Sequence, residues 1–222
     1  MTVRFADLSP ATQDYLREIY KLQREAALVK TSTLARTMGV APPSATAMVK
    51  KLAALGLAEH EAYRGVRLTA AGERIALETL RHHRLLELYL TQRLDLGLDA
   101  VHAEADRLEH ALSEALEARI DEALGSPTRD PHGDPIPDAE LRIAQSETRP
   151  LSALDPGDTA VVERIPDGDG DLLRYLATLA LVPGQRVELV QAAPFGGPLT
   201  IRSNGRETAI SRQLGAQIHV SS

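Results

Sequence analysis

The stretch from Ser32 to Thr69, STLARTMGVAPPSATAMVKKLAALGLAEHEAYRGVRLT, decides how the chain folds. Ser32 stands as a helix N-cap, and Leu34, Ala35 and Met38 recur at helical spacing until Gly39 stops them, with Val40 as a turn residue. Pro42 and Pro43 suit the first turn of a second helix, where a missing N–H costs nothing. Ala45, Met48, Val49, Leu52 and Leu55 then give it one apolar stripe, closed by Gly56. Leu57 to Glu61 and Val66 to Leu68 read as two extended pieces joined by a turn holding Tyr63, Arg64 and Gly65, after which Thr69 caps another helix. Helix, tight turn, helix and hairpin is the order of a winged helix-turn-helix. A small helical domain with an unrelated hairpin is the plainer alternative.

Working outward, Ala11 to Glu25 places Tyr15, Leu16, Ile19 and Tyr20 on one helical face behind the start signals Ser9 and Pro10. Downstream, Ala70 to about Leu124 is helical, broken near Asp95 to Asp99 by Gly97, which predicts two long helices. Ser126 to Asp138 is too rich in proline for a helix and serves as a connector. After Pro150 come short extended runs at Thr159 to Ile165, Arg186 to Val190, Leu199 to Ser203 and Gln217 to Val220, with a helical interruption at Leu172 to Leu181 and a hairpin turn at Ser203 to Gly205. The expected fold is mainly α with a small β part. It comprises a winged helix-turn-helix over residues 1–73, a helical domain over 74–145 and a small β-barrel over 151–222.

Composition narrows the function. The 222 residues contain no cysteine, which excludes disulfides and thiolate nucleophiles and restricts any metal site to nitrogen and oxygen donors. No run of about 18 apolar residues and no apolar leader occurs, which predicts a cytoplasmic protein with no membrane partner. The net charge of −6 is unevenly spread. Residues 1–73 hold ten basic against seven acidic side chains, including all four lysines, whereas 74–145 hold eight against fifteen. The first segment suits phosphate and the second suits cations.

Five of the seven histidines, His82, His83, His102, His110 and His132, lie within 51 residues of that acidic segment. At about 100° per residue, His102, Asp106, Glu109 and His110 share an arc of roughly 100° on one helix, and His83 stacks on Glu87 four residues later on the preceding one. Two antiparallel helices would then present six donors to a common space, as metal-binding bundles do. The competing reading is a solvated face paired with Arg84, Arg107 and Arg119, but two histidines bracketing two carboxylates on a buried face would be costly without a cation. His82, turned about 100° from His83, reads as a surface residue, and His60 and His219 as structural. An enzyme is the rival from another class. No Gly-rich phosphate loop, Gly-x-Ser-x-Gly elbow or His-Glu-x-x-His pattern supports it, so metal-assisted hydrolysis is its only version, and no small-molecule substrate is expected.

The order of these parts resembles the diphtheria-toxin-repressor family of metal-dependent transcriptional repressors, in particular its manganese-transport-regulator branch. The stretches that carry the resemblance are Gln13 to Tyr20, Tyr63 to Thr69, His83 to Glu87, Val101 to His110 and Pro131 to Pro137. The resemblance implies a homodimer in which a helical domain carries both metal binding and dimerisation, with a terminal SH3-like domain similar to a ferrous-transport accessory domain. It places a regulatory metal site on Asp14, Asp106, Glu109 and His110, with His83 nearby. A second site would draw on His83, Glu87, His102, Asp130 and His132, and on Asp169 or Asp171 from the β-domain. For Asp167, Asp169 and Asp171 the plainer reading is an exposed Asp-Gly turn.

In this resemblance Asp106 stands where iron-responsive members have cysteine and manganese-responsive ones usually glutamate, and Asp14 where iron-type members have methionine. Oxygen and imidazole donors suit Mn²⁺, with Fe²⁺ as the alternative and other divalent ions as substitutes. Arg17 stands where some manganese-type members place a further carboxylate, which argues against a two-ion cluster of their kind. Metal is expected to draw Asp14 on the first helix against the acidic donors and so raise DNA affinity. The helix opening at Pro43 would enter the major groove with Ser44 and Thr46 near base edges, while Thr31, Lys50, Lys51, Arg64 and Arg67 meet phosphates of a palindromic double-stranded operator. A metal-independent winged-helix regulator is the alternative within the same class.

Overall fold

The computed structural model describes residues 3–24, 26–61, 64–144 and 147–221; Glu25 and Tyr63, assigned above to the first helix and to the wing turn, lie outside them. Contacts divide the chain into two compact units. One comprises 1–83, 109–113 and 137–142, the other 84–108, 114–136 and 143–222.

In the first unit, α1 (Pro10–Gln23) starts on Pro10 and buries Tyr15, Leu16 and Ile19. Helices α2 (Thr31–Thr37) and α3 (Pro42–Ala54) follow. The N-cap of α2 is Lys30, not Ser32, so the helix begins two residues earlier than the hydroxyl signal implied and Ser32 lies in its first turn. Both helices end on glycines in the left-handed region, Gly39 at φ +63° and Gly56 at φ +71°. There the N–H of Val40 reaches Ala35 and that of Leu57 reaches Leu52, satisfying carbonyls that the helix leaves over. Strands β1 (Ala58–Glu61) and β2 (Gly65–Leu68) pair antiparallel from Ala58↔Leu68 to Glu61↔Gly65. Val29 adds a bridge to Val66 that the sequence did not announce. Leu16, Leu34, Val49, Leu52, Leu57 and Val66 meet in the core, which completes the winged helix.

Helix α4 (Ala70–Leu94) begins where the Thr69 hydroxyl accepts the N–H of Gly72. Every residue from Arg81 to Leu88 is buried, so this helix has no surface side there and its Arg81, His82, His83, Arg84 and Glu87 must all find partners. His82, expected at the surface, is 1% exposed; its Nδ1 lies 3.1 Å from the Glu109 carbonyl and its ring meets Phe5 edge-on at 4.9 Å. The two long helices expected over this region are three: α4, α5 (Leu98–Leu108) and α6 (Glu114–Leu124). After α5 the chain tightens into a 3-10 turn, Glu109–Ala111.

The second unit ends in a six-stranded sheet of order β3-β8-β4-β5-β6-β7. Its strands are β3 (Arg149–Pro150), β4 (Thr159–Arg164), β5 (Arg186–Ala192), β6 (Leu199–Ser203), β7 (Arg206–Ile210) and β8 (His219–Ser221). Helices α7 (Gly170–Thr178) and α8 (Arg212–Gln217) are inserted in it. The expected SH3-like β-barrel is thus an open antiparallel sheet, with β3 and β7 at its edges rather than paired. Val162, Leu176, Leu189, Ile201 and Val220 lie in its core, and α5 packs against α7. Among the described residues, no helix is long and apolar enough to cross a membrane.

Candidate metal centres and nucleic-acid interface

In the first unit, Asp14 of α1 and Glu109 and His110 of the 3-10 turn bring one ligand atom each to within 4.8 Å of the others. The hydrogen bonds around His110 fix its chemistry. Buried Gln13 donates its Nε2–H to the Phe5 carbonyl at 3.0 Å, so its Oε1 is left to accept from His110 Nδ1 at 2.6 Å. With Nδ1 engaged there, Nε2 is the nitrogen that faces Asp14 Oδ1 at 3.1 Å and Glu109 Oε1 at 3.4 Å. A ring nitrogen converging with two carboxylate oxygens is an arrangement that a metal ion can occupy, and these oxygen and imidazole donors fit a hard divalent ion.

Glu109 is fully buried and has two other neighbours. His83 Nδ1 donates to its Oε2 at 2.6 Å, and Arg17 Nη1 lies 2.8 Å from Oε1 and 2.6 Å from Oε2.

In the second unit, Glu87 of α4 and Asp130 and His132 of the connector form another such group, all three buried. Asp130 Oδ1 accepts the N–H groups of His132 and Asp134, both at 2.9 Å, a turn that its own side chain closes. Its Oδ2 meets Arg84 Nε at 3.4 Å; Arg84 also reaches Asp134 at 3.3 Å and the Pro135 carbonyl at 2.6 Å. Burial, with the charges of Asp134 and Glu87 added, pushes the Asp130 carboxyl up to about 7 despite Arg84 and His132.

Among the described residues, both ring nitrogens of His132 are buried without a hydrogen-bond partner within reach, Nδ1 standing 3.6 Å from Glu87 Oε2. Burial works against protonation of this ring, but Glu87, Asp130 and Asp167 outweigh it and raise its pKa. Orphaned imidazole nitrogens beside two carboxylates fit a metal ligand, since an unpaired buried polar group is otherwise costly.

Strand β4 and the residue that follows it secure this loop. Ile165 donates to the His132 carbonyl at 2.9 Å, and Gly133, at φ +90°, leaves no room for a side chain, because a Cβ there would stand 1.8 Å from the Glu163 oxygen.

The single helical face expected to hold His102, Asp106, Glu109 and His110 is divided, because α5 ends at Leu108. His102 places Nδ1 at 3.0 Å from Glu87 and Nε2 at 3.6 Å from Asp106. Asp169, expected as a ligand, caps α7, its Oδ1 accepting the N–H groups of Asp171 and Leu172. Asp167, two residues earlier, is the aspartate whose charge acts on His132. Gln13, Arg84 and Asp134 escaped the sequence reading, because their roles come from contacts up to 97 residues apart in the chain.

Of the residues expected at DNA, Pro43, Ser44 and Lys50 are exposed on α3 and Thr31 opens α2 half-buried. Thr46 donates its hydroxyl to the Pro42 carbonyl at 2.9 Å, and Lys51 Nζ donates to Thr12 of α1 at 3.2 Å. The wing arginines are paired within the wing, Arg64 with Glu61 and Arg67 with Glu59 at 2.6 Å.

Three family models match the chain in sequence. They are the N-terminal DNA-binding domain of iron-dependent repressors over residues 7–66, their metal-binding and dimerisation domain over 69–138, and the FeoA domain over 149–222. The iron-dependent repressor IdeR of Mycobacterium leprae is 30% identical, the match covering 96% of this chain and 98% of that protein. A manganese-dependent transcriptional repressor solved in complex with manganese is 39% identical, with a TM-score of 0.88 over 95% of this chain and 99% of that one. The manganese regulator SloR is 29% identical, with a TM-score of 0.80 over 96% and 99%. The chain therefore belongs to the iron-dependent repressor family, a family of DNA-binding transcriptional repressors rather than of enzymes.

Proposed function

We propose that the chain is a Mn²⁺-activated repressor of metal-homeostasis genes, with Fe²⁺ as the alternative activator, in which residues 1–73 read DNA, 74–145 bind metal and dimerise, and 151–222 form an accessory domain. The observation that carries the reading is the convergence of His110 Nε2 on Asp14 at 3.1 Å and Glu109 at 3.4 Å. Asp14, Glu109 and His110 are the regulatory ligands, with His83 orienting Glu109. Glu87, Asp130 and His132 form a second site, with His102 bonded to Glu87 and Asp106 beside His102. Asp14, Glu109 and His110 would hold a divalent ion at the first site, whose charge would balance the two carboxylates.

The consequence lies in α1. Asp14 belongs to the DNA-reading fold, and Glu109 and His110 to the turn after α5, so their convergence fixes α1 and the winged helix packed on it. At about 100 times its dissociation constant a metal favours the ordered state by roughly 2.7 kcal/mol, near a hundredfold in population. In a two-fold dimer on a palindromic operator, each α3 enters a major groove with Pro43, Ser44 and Thr46, while Thr31, Lys50, Lys51, Arg64 and Arg67 face phosphates. Lys51 and the wing arginines exchange their present partners for phosphate on binding.

The support from relatives is that the two solved structures named above are a manganese-dependent transcriptional repressor and a manganese regulator. The test is operator binding by fluorescence anisotropy with Mn²⁺, Fe²⁺, Zn²⁺ or chelator. Mn²⁺ should tighten binding about a hundredfold and Asp14→Ala should abolish that response with the fold intact. Equal binding with chelator and Mn²⁺ would mean a metal-independent regulator.

A further inference from the structure

Arg17 brings a positive charge into the first donor cluster. It sits one helical turn after Asp14, with its side chain 12% exposed, and its Nη1 lies 2.8 Å and 2.6 Å from the two oxygens of Glu109 and 3.1 Å from His83 Nδ1. Its Nη2 is 4.0 Å from Asp14 Oδ1. One guanidinium thus faces both carboxylates of the triad, and it touches the two Glu109 oxygens from which a metal bond must come.

We infer that Arg17 is a built-in cation that competes with the metal for Glu109, and so sets the metal concentration at which the repressor switches. The inference rests on the metal reading of Asp14, Glu109 and His110. Glu109 is fully buried, and a carboxylate in that position without a partner is costly. Arg17 and His83 meet that need, so an ion binding Glu109 must loosen a contact that already satisfies it. With Arg17 present, two carboxylates and one guanidinium offer a dication one net negative charge; without it they offer two. Both effects weaken metal binding relative to a cluster with no arginine, and neither alters the donor atoms. A guanidinium does this better than an ammonium, because Nη1 bridges both oxygens of Glu109 while Nη2 of the same planar group faces Asp14.

The test is Mn²⁺ calorimetry on the full chain, read on the binding component that Asp14→Ala removes. Arg17→Gln should tighten that component about tenfold to a hundredfold, the range of one charge-assisted hydrogen bond to be exchanged. The Mn²⁺ concentration giving half-maximal operator binding should fall by a similar factor, and the chelated protein should melt at a lower temperature. Arg17→Lys, which keeps the charge but has one nitrogen in place of the group that faces both carboxylates, should lie between the parent and Arg17→Gln, and it decides alone if Arg17→Gln does not fold. An arginine that only props up the site would give weaker binding when removed. Affinity unchanged or weakened in a folded variant overturns the inference while leaving the metal reading intact. If Asp14→Ala removes no component from the parent, the metal reading fails and the inference goes with it.

Discussion

Asp14 and His110 in the first donor cluster keep 31% and 15% of their side chains in solvent, whereas none of Glu87, Asp130 and His132 in the second keeps more than 3%. The scaffolds differ in the same sense. The first cluster joins a helix to a single 3-10 turn, and the second is folded into a loop closed by its own aspartate and anchored on β4. Each contains an arginine, but in different roles. Arg17 lies on Glu109, itself a proposed ligand, while Arg84 spreads its donors over Asp130, Asp134 and a carbonyl, and so holds the loop as well as the ligand. On the reading proposed here, the exposed cluster follows the metal supply and the buried one keeps its ion as part of the fold.

The harshest way to break this contrast is Arg84→Met. It strands Asp130 and Asp134 in the interior, leaving Arg164, 3.3 Å from Asp134, as the remaining cation in that pair. Denaturant unfolding in chelator should show a loss of about 3–5 kcal/mol, the usual result of removing one side of a buried pair. The Mn²⁺ component governed by Asp14 should persist at a temperature where the variant is folded; its disappearance would mean the two clusters are one system.

Gly133→Ala comes next. It forces a Cβ against the Glu163 carbonyl at a left-handed φ, and about 2–3 kcal/mol of stability should be lost as the loop shifts off β4. Mn²⁺ binding at the second cluster should weaken with it, and the first cluster should bind as before. If calorimetry shows the second component untouched, β4 does not position these ligands.

The same contrast explains what the sequence could reveal. The winged helix was legible because its signals are local: the stripe from Ala45 to Leu52, the glycines at 39 and 56, and the hairpin around Gly65. The donors themselves were legible by residue type and spacing. Their grouping was not, since the run from Arg107 to Ser113 contains no glycine or proline to mark the tightening at Glu109 that ends α5. His82 was misread because a helical wheel assigns a surface side, and α4 has none where it is buried all round. Gln13 fixes the His110 tautomer across 97 residues, a relation that no periodicity encodes. Strand β7 and helix α8 escaped because one is largely polar and the other spans six residues.

The finest distinction concerns two aspartates of one turn, Asp167 and Asp169, which composition alone could not separate. Asp169 spends its Oδ1 on two backbone N–H groups at the start of α7, at 3.0 Å and 3.1 Å. Asp169→Ala should therefore cost about 1 kcal/mol, as loss of an N-cap does, and Asp169→Ser should recover most of it. Neither change should alter Mn²⁺ affinity at the second cluster. Asp167, whose charge raises the His132 pKa, should behave the other way. Asp167→Asn keeps the shape, removes the charge, and should weaken that component several-fold with little change in melting temperature. If Asp169→Ala weakens Mn²⁺ binding and Asp167→Asn does not, the cap is the ligand, and the second cluster reaches the solvent-facing end of α7 instead of closing within its buried loop.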